Sequence, residues 1–246
     1  MTRTISTCLT LSLLAASVLA QKSKPWNEWS KKEAEKTLND SAWGQTQTET
    51  DTSKMTYSPT VTPTTAGRRE DSRISDASRT ESGANNSPMS VKYRIRFLSA
   101  KPVREAFARM LLLMQEKPNE GLTGQLQSFV DRDFSDYIVV AVAVEATDRR
   151  FSGPVLQILG SATAETLKNN TYLERKDGKR LFLMDYRAPG PDGIGAKFIF
   201  QRAFEGHAFL TPESDNLRFV AEISEKIKLN MRYKVSEMVY EGKLEY

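Results

Sequence analysis

The segment that decides the fold spans residues 91–114 and reads VKYRIRFLSAKPVREAFARMLLLM. Residues 91–97 alternate between apolar and basic side chains, which predicts a half-buried β-strand. Pro102 suits the first turn of a helix. Backbone N–H groups in the first turn have no partner within the helix, so the N–H that proline lacks is not missed. From Val103 to Met114 the apolar residues recur at helical spacing, so we expect a helix that packs on the domain core.

A second buried strand follows this helix. Residues 137–144 are almost continuously apolar and β-branched, which is typical of a central strand covered on both faces. Weaker helical patterns at residues 122–133 and 161–169 predict two further short helices. The order of strand, helix and strand predicts a βαβ-like unit early in the domain.

The C-terminal half of the chain is rich in strand patterns. Asp177-Gly178 separates two strand-like runs, and this dipeptide is a strong hairpin signal. Further strands are predicted over residues 196–204, 217–223, 226–235 and 238–246. The expected fold class is therefore α+β, with a predominantly antiparallel sheet built mostly from the C-terminal half, a few packed helices and the early βαβ-like unit.

The N-terminus predicts export. Arg3 precedes an apolar stretch at residues 8–19, and the small residue Ala20 suits a cleavage site. We expect residues 1–20 to be a cleaved signal peptide, with no transmembrane segment left after its removal and a periplasmic or secreted location; the alternative is an uncleaved anchor. Cleavage would remove Cys8, the only cysteine of the chain, and with it any disulfide or zinc–sulfur site. No cofactor is predicted.

Residues 21–43 form a short Trp-rich unit. Ser30 and Glu33 match a helix capping box, and all three tryptophans of the chain lie here. We predict an amphipathic helix whose large side chains dock a partner such as an envelope protein. The docking residues are Trp26, Trp29, Leu38 and Trp43. The alternative is that the unit folds back and fills a groove of its own domain.

Residues 44–90 are rich in serine and threonine and show no hydrophobic period. Such a composition buries too little apolar area to offset the entropy of ordering the chain. We therefore predict a flexible linker, followed by a globular α+β domain over residues 91–246. The net charge of the whole chain is +4, and no segment is basic enough to predict specific binding of nucleic acid.

Four stretches carry a family resemblance. They are WNEWS at residues 26–30, QTQTETDTS at 45–53, YRIRFLSAKPVR at 93–104 and MVYEGKL at 238–244. Together they resemble an uncharacterised family of bacterial exported proteins. The resemblance implies bacterial export and more order in residues 45–53 than their composition suggests. It brings no activity, ligand or catalytic residue.

Two predicted strands carry basic side chains on one face. These are Lys92, Arg94 and Arg96 on the first strand, and Lys226, Lys228, Arg232 and Lys234 on a later one. If the strands are neighbours on one face, they form a basic surface that attracts an anionic polymer of the envelope or an acidic partner. The alternative is a solvated sheet face in which Glu222, Glu237 and Glu241 supply counter-charges.

Candidate catalytic and metal-binding residues are few. His207 is the only histidine, so any serine triad must use it, and metal sites with two or three histidines are excluded. Asp131, Asp133 and Asp136 bunch three carboxylates, as calcium prefers, but they lack the EF-hand pattern, and a solvated helix end is the alternative. The glycines at positions 190, 193 and 195 do not match a phosphate loop and predict an inter-strand loop.

The absence of a catalytic motif favours one class of function. We expect an exported, non-catalytic binding module or envelope-associated protein. The alternative is a hydrolase that works outside the cytoplasm through carboxylates alone. A deep cleft with two facing carboxylates would favour the hydrolase, whereas a shallow surface with tryptophans or basic residues would favour binding.

Overall fold

The computed structural model describes residues 24–51, 89–116, 120–146 and 149–246. The predicted signal peptide and most of the predicted linker lie outside these ranges. The helices are α1 (Lys31–Asn39), α2 (Lys101–Leu113), α3 (Glu120–Val130), α4 (Arg149–Ser161) and α5 (Ala164–Leu167), with 3-10 helices at Trp26–Glu28 and Val235–Glu237. The strands are β1 (Gly44–Asp51), β2 (Met89–Phe97), β3 (Tyr137–Ala146), β4 (Thr171–Arg175), β5 (Arg180–Phe182), β6 (Asp185–Arg187), β7 (Ala196–Gln201), β8 (Ala203–Phe204), β9 (His207–Ala208), β10 (Asn216–Glu222), β11 (Lys228–Lys234), β12 (Val239–Tyr240) and β13 (Lys243–Leu244).

The strands form two main sheets. The five-stranded sheet has the order β1-β2-β3-β7-β6, and the four-stranded sheet has the order β11-β10-β4-β5. Two short hairpins pair β8 with β9 and β12 with β13. Neighbouring strands run antiparallel in each of these sheets. The predicted α+β class is confirmed, although the strands divide between two main sheets rather than forming one.

The two main sheets pack face to face. Tyr93, Ile95 and Phe97 of β2 join the main hydrophobic core together with Leu229 and Tyr233 of β11. The ring of Tyr233 meets Phe97 edge-on with 4.8 Å between centroids, and its hydroxyl donates to the carbonyl of Ile95. Because these side chains fill the space between the sheets, the other face of each sheet points away from its partner.

The central strand of the five-stranded sheet is β3, as its continuous apolar run predicted. Residues 138–142 are all buried. Ile138 and Val140 belong to the main core, whereas Val139 and Ala141 belong to a second cluster that includes aromatic residues of α2 and α3. The strand is therefore covered on both faces.

The predicted βαβ-like unit is wrong in the direction of its strands. Helices do connect β2 to β3, but the two strands pair antiparallel, with Val91 opposite Ala146 and Phe97 opposite Val140. A single crossover helix would return the chain to begin a parallel strand. Two helices, α2 and α3, stand between these strands and pack on each other. The second helix adds one further reversal of the chain.

The predicted linker over residues 44–90 is wrong at both ends. Residues 44–51 form β1, and β2 already begins at Met89. β1 pairs with β2 along its whole length, and the last pair joins Asp51 to Met89. The two ends of residues 52–88 are therefore held side by side. This segment connects two paired strands of one sheet and does not separate two modules.

Candidate binding surface

Two of the predicted docking residues are buried in the protein itself. Trp26 is 9% exposed and packs in a cluster with Leu112, Leu126 and Val130 of α2 and α3. Leu38 belongs to the main core. The capping box begins α1 as predicted, since the Glu33 N–H donates to the Ser30 hydroxyl and the Ser30 N–H donates to the Glu33 carboxylate.

The other two tryptophans also contact their own domain. The indole N–H of Trp43 donates to the carbonyl of Glu245 at 2.8 Å, and its ring meets Tyr240 edge-on at 6.1 Å. Trp29 is partly buried, and its carbonyl accepts a hydrogen bond from Arg109 of α2. The prediction that these tryptophans present themselves to a partner is therefore wrong in this structure. The fold-back alternative applies because the apolar stripe of α1 completes the core.

The basic side chains of β2 do not form an open surface. Arg96 is buried, and its guanidinium donates to the carbonyl of Leu38 at 2.9 Å and to Oδ1 of Asn39 at 2.8 Å. Burial and the neighbouring charge of Arg94 together lower the pKa of Arg96 to about 10, although the charge of Glu145 acts in the opposite direction. Arg94 donates to Glu145 on β3 through its Nε at 2.7 Å. Arg96 therefore ties α1 to the sheet instead of meeting solvent.

The predicted union of the two basic strands is also wrong. β2 and β11 lie in different sheets, and their apolar residues face each other across the main core. Lys92 and Arg94 therefore lie on the far side of the five-stranded sheet. Lys228, Arg232 and Lys234 lie on the far side of the four-stranded sheet, which we call the outer face. Lys226 is exposed in the turn before β11.

A row of four charged side chains crosses the outer face. The register places Arg232 opposite Arg218, Arg218 opposite Glu174, and Glu174 opposite Arg180. Glu174 accepts a bond from Nε of Arg180 at 2.7 Å and pairs with Arg218 at 2.5 Å. The bond to Glu174 raises the pKa of Arg180. One carboxylate thus serves two guanidinium groups in this charged row, and Arg232 makes no ion pair within the described ranges.

Uncharged side chains form a second row beside the charged row. Phe182 lies opposite Tyr172, Tyr172 opposite Val220, and Val220 opposite Asn230. The rings of Tyr172 and Phe182 are 5.8 Å apart, and the guanidinium of Arg180 stands 4.4 Å from the centre of the Tyr172 ring. Phe182 is 52% exposed. We call these four side chains the aromatic row, in which Tyr172 and Phe182 form an apolar platform that borders the positive charges.

The margins of the outer face hold the predicted counter-charges. Lys228 lies 3.6 Å from Glu222, and Lys234 lies 2.7 Å from Glu237. Glu241 instead pairs with Lys101 at the start of α2. Two of the three expected carboxylates thus neutralise lysines at the edge, while the arginines of the charged row keep an excess of positive charge.

Sequence reasoning missed four members of this surface. Arg180, Arg218, Tyr172 and Phe182 were not among the predicted site residues, yet they occupy its centre. The Asp177-Gly178 turn could have predicted one of these contacts, because a tight hairpin places Tyr172 across from Phe182. The neighbour relation between β4 and β10 depends on the order of strands in the sheet, which no local pattern encodes.

The single histidine lies elsewhere, in the β8-β9 hairpin. His207 is exposed, stands opposite Phe204, and lines a groove with Ser135, Arg202 and Met184. Among the described residues that line this groove, Asp136 is the only carboxylate. A pair of facing carboxylates, as glycoside hydrolysis requires, is therefore not assembled in this groove.

The aspartates before β3 are engaged by nearby polar groups. Asp133 accepts bonds from the N–H and the hydroxyl of Ser135 at 2.9 and 2.8 Å, and Asp131 accepts one from Gln127 at 2.7 Å. The bonds from Ser135 lower the pKa of Asp133. Within the described ranges, no group of three histidine, cysteine or acidic residues is placed to hold a metal ion.

The glycine-rich stretch at residues 190–195 is a loop between β6 and β7, as predicted. Gly195 has a positive φ of 99°, and a Cβ at this position would lie 2.2 Å from the carbonyl oxygen of Val142. The close approach to β3 explains the glycine without a phosphate ligand.

Together, the fold and the outer face define an α+β protein with an open, basic and aromatic sheet surface. No protein-family model, curated protein or solved structure matches the chain. None of the described helices has the length and hydrophobicity needed to span a bilayer.

Proposed function

We propose that this protein is an exported, non-catalytic binding module of the cell envelope that holds acidic polymers on its outer face. The observation that carries the proposal is the charged row, in which three arginines stand in line with a single glutamate that pairs with only two of them. The row lies on a solvated sheet surface and spans the four strands. A linear polyanion laid across the strands would contact several of these charges at once.

The charge pattern of the row favours an external anion. Like charges that stand directly opposite on neighbouring strands destabilise a sheet, and Arg218 stands opposite Arg232. Glu174 pairs with Arg218 and offsets its charge, but it lies two strands from Arg232. An anionic ligand at Arg232 would remove the remaining repulsion. Arginine suits this role because its planar fork matches carboxylate and phosphate groups.

The carboxylate hydrolase is less well supported. The groove beside His207 has one carboxylate in its described lining. A second groove contains Asp177, Glu213 and Asp215, and a hydrogen bond with the Thr211 side chain lowers the pKa of Glu213. Asp177 is paired with Arg175 at 2.6 Å, and Asp215 is paired with Lys176. Such ion pairs hold carboxyl groups in the charged form, whereas a general acid needs a raised pKa.

Charge reversal on the outer face tests the proposal. We expect Arg232→Glu/Lys234→Glu to weaken binding to polygalacturonate and to polyphosphate by about 10-fold or more, because it replaces attraction with repulsion at the site. The matched control is Lys31→Glu/Lys92→Glu, which changes the net charge equally on other surfaces and should bind as the unchanged protein does. Equal losses in both double variants, or a loss in neither, would contradict the proposed site.

A further inference from the structure

The outer face has, beside its charges, a row of uncharged and aromatic side chains that a purely electrostatic site does not need. The aromatic row runs parallel to the charged row and lies two residues away from it on each strand. Side chains two residues apart on a strand lie roughly 6.4–6.8 Å from each other on the same face. Rings and guanidinium groups are therefore close enough for one repeating unit of a polymer to touch both.

The exposed position of Phe182 is not explained by the charges of the outer face. It lies on β5 at the edge of the sheet, 52% exposed, and it extends the platform that begins with Tyr172. A half-exposed aromatic ring beside a partly buried one, on an open sheet, favours a ligand that has an apolar flat face. The face of an aromatic ring carries negative charge density, so it attracts the weakly positive C–H groups on one side of a sugar ring.

Arg180 links the two rows. Its guanidinium is held by Glu174 at 2.7 Å and stands 4.4 Å from the centre of the Tyr172 ring. An arginine fixed in this way loses little further freedom when it binds a carboxylate with its remaining donors. Arg232, at the far end of the charged row, offers a second guanidinium. Unlike Arg180, it makes no ion pair within the described residues.

We infer that the acidic polymer is a polysaccharide of carboxylated sugars, whose rings stack on Phe182 and Tyr172 while their carboxylates meet Arg180 and Arg232. This inference rests on the proposed function and specifies its ligand. Polyphosphate offers the same charge but no apolar face, so it would use the charged row alone. Single-stranded nucleic acid also stacks on aromatic rings and is the competing ligand.

The test separates ring stacking from charge. The protein purified from expression of the full chain is titrated with polygalacturonate oligomers, with polyphosphate and with oligothymidylate. We expect Phe182→Leu to weaken polygalacturonate binding about 3- to 10-fold, because leucine keeps the apolar contact but lacks the ring face. Phe182→Tyr keeps a ring at this position and should bind polygalacturonate as the unchanged protein does. Polyphosphate binding should stay the same in both variants.

Tyr137→Leu serves as the matched control, because Tyr137 is an exposed ring on the five-stranded sheet, 43% exposed, and should not affect any of the three ligands. Equal polygalacturonate binding in Phe182→Leu and the unchanged protein would overturn the sugar assignment and leave the proposed function standing. Tighter binding of oligothymidylate than of polygalacturonate would overturn it in favour of nucleic acid. Binding of none of the three polymers would overturn the proposed function itself.

Discussion

Gln47 of β1 and Asn230 of β11 join the edges of the two main sheets. The N–H of Asn230 donates to Oε1 of Gln47 at 2.9 Å, and Nε2 of Gln47 donates to the carbonyl of Lys228 at 2.8 Å. The side-chain amide thus makes the two bonds that a neighbouring strand would otherwise make with the edge of β11. An open strand edge is a site for unwanted pairing, and this contact occupies part of it.

Replacing this amide should weaken the link between the sheets. We expect Gln47→Leu to lower the free energy of unfolding by about 1–2 kcal/mol, because it keeps the size of the side chain but leaves two backbone groups of β11 without their partner. Urea denaturation measures the change. The control is Thr50→Val, an exposed position on the same strand, which should alter stability by less than about 0.5 kcal/mol. A Gln47→Leu midpoint equal to that of the control would contradict the structural role.

The polar character of β1 explains why sequence reasoning mistook it for a linker. Residues 44–51 contain no large apolar side chain. An edge strand needs little burial, and in this strand glutamine and threonine side chains supply the contacts, so its composition does not differ from that of a loop. By contrast, β3, β10 and β11 were predicted because their apolar residues recur at the spacing that a buried face imposes.

Helix α4 escaped prediction for a similar reason. Gly153 and Pro154 stand within residues 149–161, and both residues usually interrupt helices. Pro154 is the sixth residue of α4, beyond the first four N–H groups that a helix leaves unpaired, so it removes one backbone hydrogen bond of the helix. Part of the outer face was predicted from the sequence. The alternation in β11 alone places Lys228, Arg232 and Lys234 on one face of that strand. Their union with Arg180 and Phe182 depends on the order of the strands.

The burial of Trp26 can be tested directly. Trp26→Ala would leave a cavity among Leu112, Leu126 and Val130, and we expect it to lower the free energy of unfolding by about 3–5 kcal/mol. The control is Lys32→Ala, which changes an exposed residue of α1 and should have little effect. Thermal denaturation with the same midpoint in both variants would mean that the N-terminal unit is detached, and the docking hypothesis would then regain its basis.

Removal of residues 52–88 should preserve the fold. Asp51 and Met89 are already paired, so an Asn-Gly turn can replace the whole segment as a two-residue hairpin loop. We expect the shortened protein to gain roughly 2–3 kcal/mol, because the entropy of closing a loop grows with the logarithm of its length. Urea denaturation again gives the value. The control replaces residues 52–88 with a glycine–serine segment of the same length and should leave stability near that of the unchanged protein. A shortened protein that unfolds more easily than the unchanged one would contradict the prediction and would show that residues 52–88 pack on the domain.

The pH dependence of stability should carry a contribution from Glu105. This carboxyl is 4% exposed, accepts a bond from the Tyr240 hydroxyl at 2.5 Å, and lies 3.8 Å from Nζ of Lys101. Burial raises its pKa, and the nearby charge of Glu241 also raises it, while the bond from Tyr240 and the charges of Lys101 and Arg104 work in the opposite direction. In the unfolded chain the pKa returns to its ordinary value of 4.5.

The sign of the effect follows from this difference. Just above pH 4.5 the folded protein keeps the Glu105 proton that the unfolded chain has lost, so this residue contributes its full stability at lower pH. That contribution is lost as the pH rises through the higher pKa of the folded state. Glu105→Gln cannot titrate but still accepts a bond from Tyr240. We therefore expect the urea midpoint of Glu105→Gln to rise relative to that of the unchanged protein as the pH increases from about 4 through the raised pKa of the folded state, and then to keep a constant difference. Parallel midpoint curves over this range would show that Glu105 is ionised equally in the folded and unfolded states.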